Sequence, residues 1–442
     1  MVCIITFARS WQTLIAARAL GKQGITVITA DSEKFATTFF SKYSKNNFIY
    51  TDPNENENKF VNDLIKKAKE YKKKYNEEIM LLPVHKETYT ISKYRKKLSK
   101  HMKICVDDYD KIMSVHNKRK IPLLLKKYKI PTPKTIIVKD ILELYKITPK
   151  LNFPVFIKLP ESAASIGLVK VKNRDDLIYE FSNAVKKSKL KPRNYPIIQE
   201  GVGGEDYCVT ALFNKGKKRA MMTYKNIKTY PYKSGPSVYR KNVNAEEMEK
   251  IATKFLEKIK WHGLAEIDFR MGSDKKPVLI EINPRFWGGL NQSVASNVNY
   301  PLLAYEIAVN GDCKTIKKYD KSVRTENLTT AILALFDEIN KDEKKKKEIK
   351  KLEKHWKKAF KSNFKLHISE FFKQVKHINN KKYTRKKIKE FVKRRNKITK
   401  DDIIDVKDPF VVLGVLYPIH LFLKYGKVDK KMLTGEGSGK KK

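Results

Sequence analysis

The stretch Leu279-Ile280-Glu281-Ile282-Asn283-Pro284-Arg285, preceded by Ala265-Glu266-Ile267-Asp268-Phe269, decides how this chain folds. Both runs read as dry strands with ionisable groups set into them. Glu281 and Asn283 are two apart, so on a strand they share one face. The turn-rich Gly272-Ser273-Asp274-Lys275-Lys276-Pro277 between the runs predicts a hairpin that brings Asp268, Glu281 and Asn283 together. Two carboxylates and an amide oxygen make a hard, all-oxygen site suited to Mg²⁺ and a phosphate. Arg285 follows, a planar cation able to meet a transferring phosphoryl group. Taken alone, the motif is equally a salt-bridged hairpin.

Four further segments precede or bracket this hairpin. Asn117-Lys118 opens a helix to Tyr128 that Lys129-Ile130-Pro131-Thr132-Pro133 ends. Phe153-Pro154-Val155-Phe156-Ile157-Lys158-Leu159-Pro160 is an apolar strand holding one lysine, which is costly to bury unless it meets an anion. Glu161-Ser162-Ala163-Ala164-Ser165-Ile166-Gly167 then offers small residues whose backbone N–H groups can approach a phosphate. Ile197-Ile198-Gln199-Glu200-Gly201-Val202-Gly203-Gly204-Glu205-Asp206-Tyr207 reads as strand, glycine-rich hinge and strand.

In this order and spacing the five segments resemble the ATP-grasp superfamily, and within it the carboxylate–amine ligases related to carbamoyl phosphate synthase and D-alanine–D-alanine ligase. The chain departs from the family's wording at Asn117, which stands for an Asp, and at Lys129, which stands for a Gly. The resemblance implies ATP with Mg²⁺ or Mn²⁺ as cofactors. Asp268, Glu281 and Asn283 would be the metal ligands, and Arg285 and Lys158 the catalytic cations. Lys118, Lys158, Ser162, Ser165 and Gly167 would meet the phosphates. Gln199, Glu200 and Val202 would meet adenine, and Asp206, or its neighbour Glu205, the ribose. It also implies a small-molecule carboxylate and an amine, an amino acid or peptide among them, joined through an acyl phosphate with release of ADP and phosphate. Acceptor contacts would come from His85, Lys225, Arg240 and the Gly288-Gly289 turn, although a capping or surface role suits His85 as well. Two alternatives stay open: phosphorylation of a carboxylate or carbamate without amide formation, and a basic nucleic-acid- or membrane-binding protein on an ATP-grasp scaffold.

The expected fold is mixed α/β and α+β. Residues 1–110 alternate strands (2–7, 25–30, 78–84) with helices (11–22, 59–75, 85–100) and read as a doubly wound, Rossmann-like domain of the kind that precedes an ATP-grasp pair. Phe7-Ala8-Arg9-Ser10 stands where a GxGxxG would, so NAD is not expected. Residues 111–190 and 191–315 would form the two lobes, and 316–442 a lysine-rich helical region. In that region, residues 328–339 and 341–361 have helical spacing, and an apolar run covers 410–423. That run is too short to span a bilayer. It would dock on the enzyme's own core or dip into a membrane interface. The final residues 435–442 read as an unstructured end.

The 442 residues, 41% hydrophobic, are enough for two or three domains. Four cysteines without CxxC spacing argue against zinc and disulfides and fit a reducing cytosol. The N-terminus lacks a basic region and reads as a strand rather than a signal peptide. A net charge of +47 suits nucleic acid or an anionic membrane, yet the lysines are spread along the chain and no nucleic-acid motif appears. The expected place is therefore the cytoplasm, with a peripheral position on the inner membrane surface and a homodimer both left open.

Overall fold

A computed structural model describes residues 1–162, 167–230, 235, 237–272, 276–339 and 382–415. The first sheet holds β1 (Val2–Ile5), β2 (Thr26–Asp31), β3 (Ser44–Ile49), β4 (Ile79–Leu82) and β5 (Lys103–Ile104), all parallel, in the order β3-β2-β1-β4-β5. β1 and β4 are buried along their whole length, as parallel strands covered by helices on both faces should be. The helix Trp11–Gly21 starts where the Ser10 side chain accepts from the Thr13 N–H. The helix Glu57–Tyr75 is capped by Asn56 and stops at Asn76 in the left-handed conformation. Its buried Phe60, Val61, Leu64, Ala68 and Tyr71 form one apolar stripe, and most of its lysines line the solvent side. The positive charge of this helix is therefore carried mainly on its outer face.

The second sheet holds β6 (Thr135–Ile137), β7 (Val155–Lys158), β8 (Val169–Val171) and β9 (Ile197–Glu200) in the order β6-β9-β7-β8. The third holds β10 (Glu205–Asn214), β11 (Lys217–Thr229), β12 (Ser237–Asn242), β13 (Gly263–Met271), β14 (Pro277–Asn283), β15 (Arg324–Glu326) and β16 (Lys400–Asp401) in the order β14-β13-β10-β11-β12-β15-β16. The expected mixed fold is the observed one, with two changes of boundary. β9 pairs with β6 and β7, so the chain crosses between sheets at residues 201–204 and not at 190. Residues 316–442, expected to be helical, contribute β15 and β16 to the third sheet. Gly204 is required at the crossing: its φ is +93° and a Cβ there would lie 1.8 Å from the Met271 carbonyl oxygen.

Two expected helices also differ in extent. The chain runs Tyr109–His116, then Ile121–Lys127, and Lys118 lies between them with its N–H on the Pro160 carbonyl at 2.9 Å. The expected helix after β4 is split into Glu87–Lys93 and Arg95–Leu98. The span 341–361 lies outside the described residues.

One apolar cluster ties the first sheet to the third. It runs from Cys3, Ile5 and Leu20 through Leu290, Tyr300 and Leu303 to Leu212, Met222 and Leu264. Glu87 is buried beside this interface, taking the Tyr50 hydroxyl at 3.0 Å, while Tyr50 in turn accepts the Phe7 N–H at 3.2 Å. Burial pushes the Glu87 carboxyl up to about 7, against the pull of Lys86 and Arg9. A carboxyl raised in the fold binds more protons folded than unfolded, so it costs stability as pH climbs from the usual carboxylate range through about 7. Glu87→Gln should therefore leave stability unchanged near pH 4 and raise it at pH 8 by on the order of 3 kcal/mol. Urea unfolding at the two pH values checks this. A variant less stable than the parent at pH 8 would contradict it.

Candidate active site

The register of β13 and β14 sets Glu266 opposite Asn283 and Asp268 opposite Glu281. Alternate residues share a face, so all four side chains gather on one side of the sheet. β10 adds Cys208 opposite Asp268. The Cys208 thiol donates to Asp268 at 3.1 Å, and the Tyr224 hydroxyl donates to Glu266 at 2.8 Å. The Asn283 amide nitrogen reaches Asp268 at 3.2 Å and Glu266 at 3.3 Å, while its oxygen accepts from Arg285 at 3.1 Å.

Electrostatics follow from that crowding. Burial and the nearby Glu266 and Glu281 charges hold the Asp268 carboxyl well above its ordinary range. Burial alone would raise Glu281 too, but Lys118, Lys158, Arg285 and His116 outweigh it and keep that carboxyl low. Burial lowers Lys158, with Glu281 and Asp268 pulling the other way. Lys118 lies 3.9 Å from Glu281 and donates to the Ser162 carbonyl at 2.5 Å. Lys158, at the end of β7, donates to Gln199 at 2.7 Å, and Gln199 continues to Thr135 at 3.0 Å. Lysines from the second sheet and its approach therefore face carboxylates of the third.

The other expected contacts divide. Gly167 keeps a left-handed φ of +69°, where a Cβ would lie 2.3 Å from the Leu159 side chain; Ser165 lies outside the described residues. Glu200, expected beside Gln199 at adenine, alternates to the opposite face and is taken up by Asn152 and Lys134. The Val202 carbonyl accepts from Arg270 at 2.8 Å, and Arg270 also pairs with Asp206 at 2.6 Å. Lys225, expected at the acceptor, is instead paired across the sheet with Glu205. Arg240, also expected at the acceptor, is fully buried, paired with Asp402, and donates to the Gly288 carbonyl at 2.9 Å. It supports the Gly288-Gly289 turn from beneath. Gly289 is needed there, since a Cβ would fall 2.5 Å from the Tyr224 hydroxyl.

His85 is neither a helix cap nor a surface residue. It takes a left-handed φ of +59° just past β4, and its ring stacks on Phe7, itself at φ +58° just past β1, with centroids 4.6 Å apart. β1 and β4 are neighbours where the strand order reverses direction, the place where open α/β sheets bind ligands. Burial, then the charge of Arg285, holds the His85 imidazole well below its ordinary value, so it is neutral. Two further residues belong to the site. Glu266 is legible in the sequence, since it stands two before Asp268 in the same strand. His116, stacked on Tyr89 and hydrogen-bonded to its hydroxyl at 3.1 Å, carries no local signal.

Residues 196–331 match a family model described as ATP-grasp in the biosynthetic pathway with Ter operon. The chain is 24% identical over 191 residues to D-alanine–D-alanine ligase B of Clostridium tetani, covering 38% of this chain and 51% of that protein. It thus spans about half the length of the curated relatives it matches. Among solved structures, the biotin carboxylase of Campylobacter jejuni, in complex with β-γ-ATP, superposes with a TM-score of 0.59 at 13% identity, covering 73% of this chain and 74% of that one. The L-amino acid ligase of Bacillus licheniformis gives 0.54 at 15% identity, covering 71% and 74%. Residues 196–331 thus resemble an ATP-grasp family, and the superpositions show that the fold is shared over most of the chain.

Proposed function

We propose that the protein joins a carboxylate to an amine with ATP through an acyl phosphate, releasing ADP and phosphate, with an amino acid or peptide as one substrate and the cytoplasm as its place of work. The observation that carries this reading is the pairing of Asp268 with Glu281 and of Glu266 with Asn283 on one sheet face, opposed by Lys118, Lys158 and Arg285. Carboxylates crowded enough that Glu266 and Glu281 raise Asp268 fit a divalent cation. Asp268, Glu281 and Asn283 would hold Mg²⁺ or Mn²⁺. Asn283 now points its nitrogen at the carboxylates, so offering its oxygen needs the amide to turn. When bound, the ion supplies positive charge at the transferring phosphoryl group.

The chain's own groups do the rest by position and charge. Lys118 and Lys158 neutralise phosphate oxygens. Ser162 and Gly167 meet the same phosphates. Gln199 and the Val202 N–H take the adenine edge, and Asp206 the ribose. Arg285 steadies the acyl phosphate, and His85 and the Gly288-Gly289 turn orient the acceptor. No covalent nucleophile is needed.

The test is ADP release with Mg²⁺-ATP against a panel of amino acids, each with and without a second amine. Release that needs one carboxylate and one amine is the expected result. Release that needs the carboxylate alone would favour acyl or carbamoyl phosphate formation without an amide, and no release with any pair would count against the ligase reading.

A further inference from the structure

The described C-terminal segment returns to the first sheet and turns apolar side chains outward. Asp408 anchors it, accepting from Arg18 Nε at 2.8 Å, Ser41 Oγ at 2.7 Å and the Lys42 N–H at 2.9 Å. The 3₁₀ turn Pro409–Val415 then packs on the turn Thr37–Phe40. Val411 is buried, and Gly414 fits so closely that a Cβ would lie 2.6 Å from the Thr37 side chain. Residues 411 and 414 are three apart, one turn of a 3₁₀ helix, so they mark its inner face. Phe410, Val412 and Leu413 must then point away, and Phe410 is 67% and Val412 73% exposed. Ile404 and Val406, just before, are exposed as well.

An apolar run docked on the enzyme's own core would bury its large side chains, and of Phe410, Val411, Val412 and Leu413 only Val411 is buried. Lysines occur along this segment and at its anchor. Lys22 pairs with Asp405 at 3.4 Å, Lys407 and Lys42 lie on either side of the Asp408 anchor, and Lys400 precedes it. The sequence stays apolar through Leu421-Phe422-Leu423 and then carries Lys424, Lys427, Lys430 and Lys431. No described helix is long and apolar enough to cross a membrane.

We propose that this surface seats the protein on an anionic lipid bilayer, with Phe410, Val412 and Leu413 in the acyl boundary and the lysines at the headgroups. The exposed apolar side chains suit the acyl boundary, and the chain's charge of +47 complements lipid phosphates. The proposal stands apart from the ligase chemistry.

The test is co-sedimentation of the full chain with phosphatidylcholine vesicles, with and without phosphatidylserine. The parent should pellet with the anionic vesicles and far less with the neutral ones. Phe410→Glu/Val412→Glu should lower the partition coefficient roughly tenfold or more at an unchanged melting temperature. Phe410→Ser/Val412→Ser gives the same reading should the acidic pair disturb the fold. Lys69→Glu/Lys73→Glu removes more charge from an exposed helix face elsewhere and should bind nearly as the parent does. Absence of pelleting by the parent, or equal loss in the acidic and lysine pairs, would overturn the proposal.

Discussion

Glu281→Ala is expected to lower turnover by about 10³-fold or more while nucleotide still raises the melting temperature. Two roles meet at this carboxylate. It stands opposite Asp268 across the hairpin, and it balances Lys118 and Lys158 on the facing side. Losing a cation ligand forfeits several kcal/mol of charge stabilisation at the phosphoryl group. The fold should survive, because the same change removes repulsion from Asp268 along with attraction to the lysines. Gln199 and Val202 lie outside the hairpin, so adenine contacts persist. Steady-state ADP release and thermal shift with Mg²⁺-ADP, measured together, separate the two effects. Parent-like turnover would sink the metal assignment, and a lost thermal shift would place Glu281 in nucleotide binding itself.

Asp402→Ala should destabilise the folded state by about 3–5 kcal/mol. Arg240 is wholly buried, and Asp402 is its only carboxylate partner among the described residues. Burial works against both charges; the attraction prevails at Arg240, whose guanidinium is held charged, while burial still leaves the Asp402 carboxyl above its ordinary range. Removing one leaves the other desolvated and unanswered. The double variant Arg240→Met/Asp402→Leu should regain much of the loss, because apolar groups of similar volume often replace a buried pair at little cost. Chemical denaturation of the parent, both single variants and the double completes the cycle. A cost below about 1 kcal/mol for Asp402→Ala would mean that water reaches the pair.

What is legible in the sequence is what depends on neighbours along the chain. The turn residues between two apolar runs announce the β13–β14 hairpin, and the two-residue period of a strand puts Asp268, Glu281 and Asn283 on one face. The lone lysine in β7 is conspicuous for the cost of burying it, and it does face carboxylates. Sequence is a poor guide where the deciding partner lies far away. Gln199 and Glu200 are adjacent, and only the pairing of β9 with β6 and β7 decides which one faces Lys158. Lys225 reads as free for an acceptor because its partner, Glu205, reaches it only across the sheet. Arg240 reads as a substrate contact because its partner lies 162 residues further on. In a strongly basic chain, cations in a helix, a pair or a site look alike until their anions are known.

The long return of the chain also sets an order of assembly. Arg18 waits for Asp408 across 390 residues, and β15 gains its parallel neighbour only when Lys400–Asp401 arrives. Contacts of such sequence separation are slow to form and form last, and vectorial synthesis delays them further. A nascent chain thus grows by 162 residues with the Arg240 side chain uncompensated and the edge of the third sheet open. That window, rather than the finished fold, is where a chaperone would be needed.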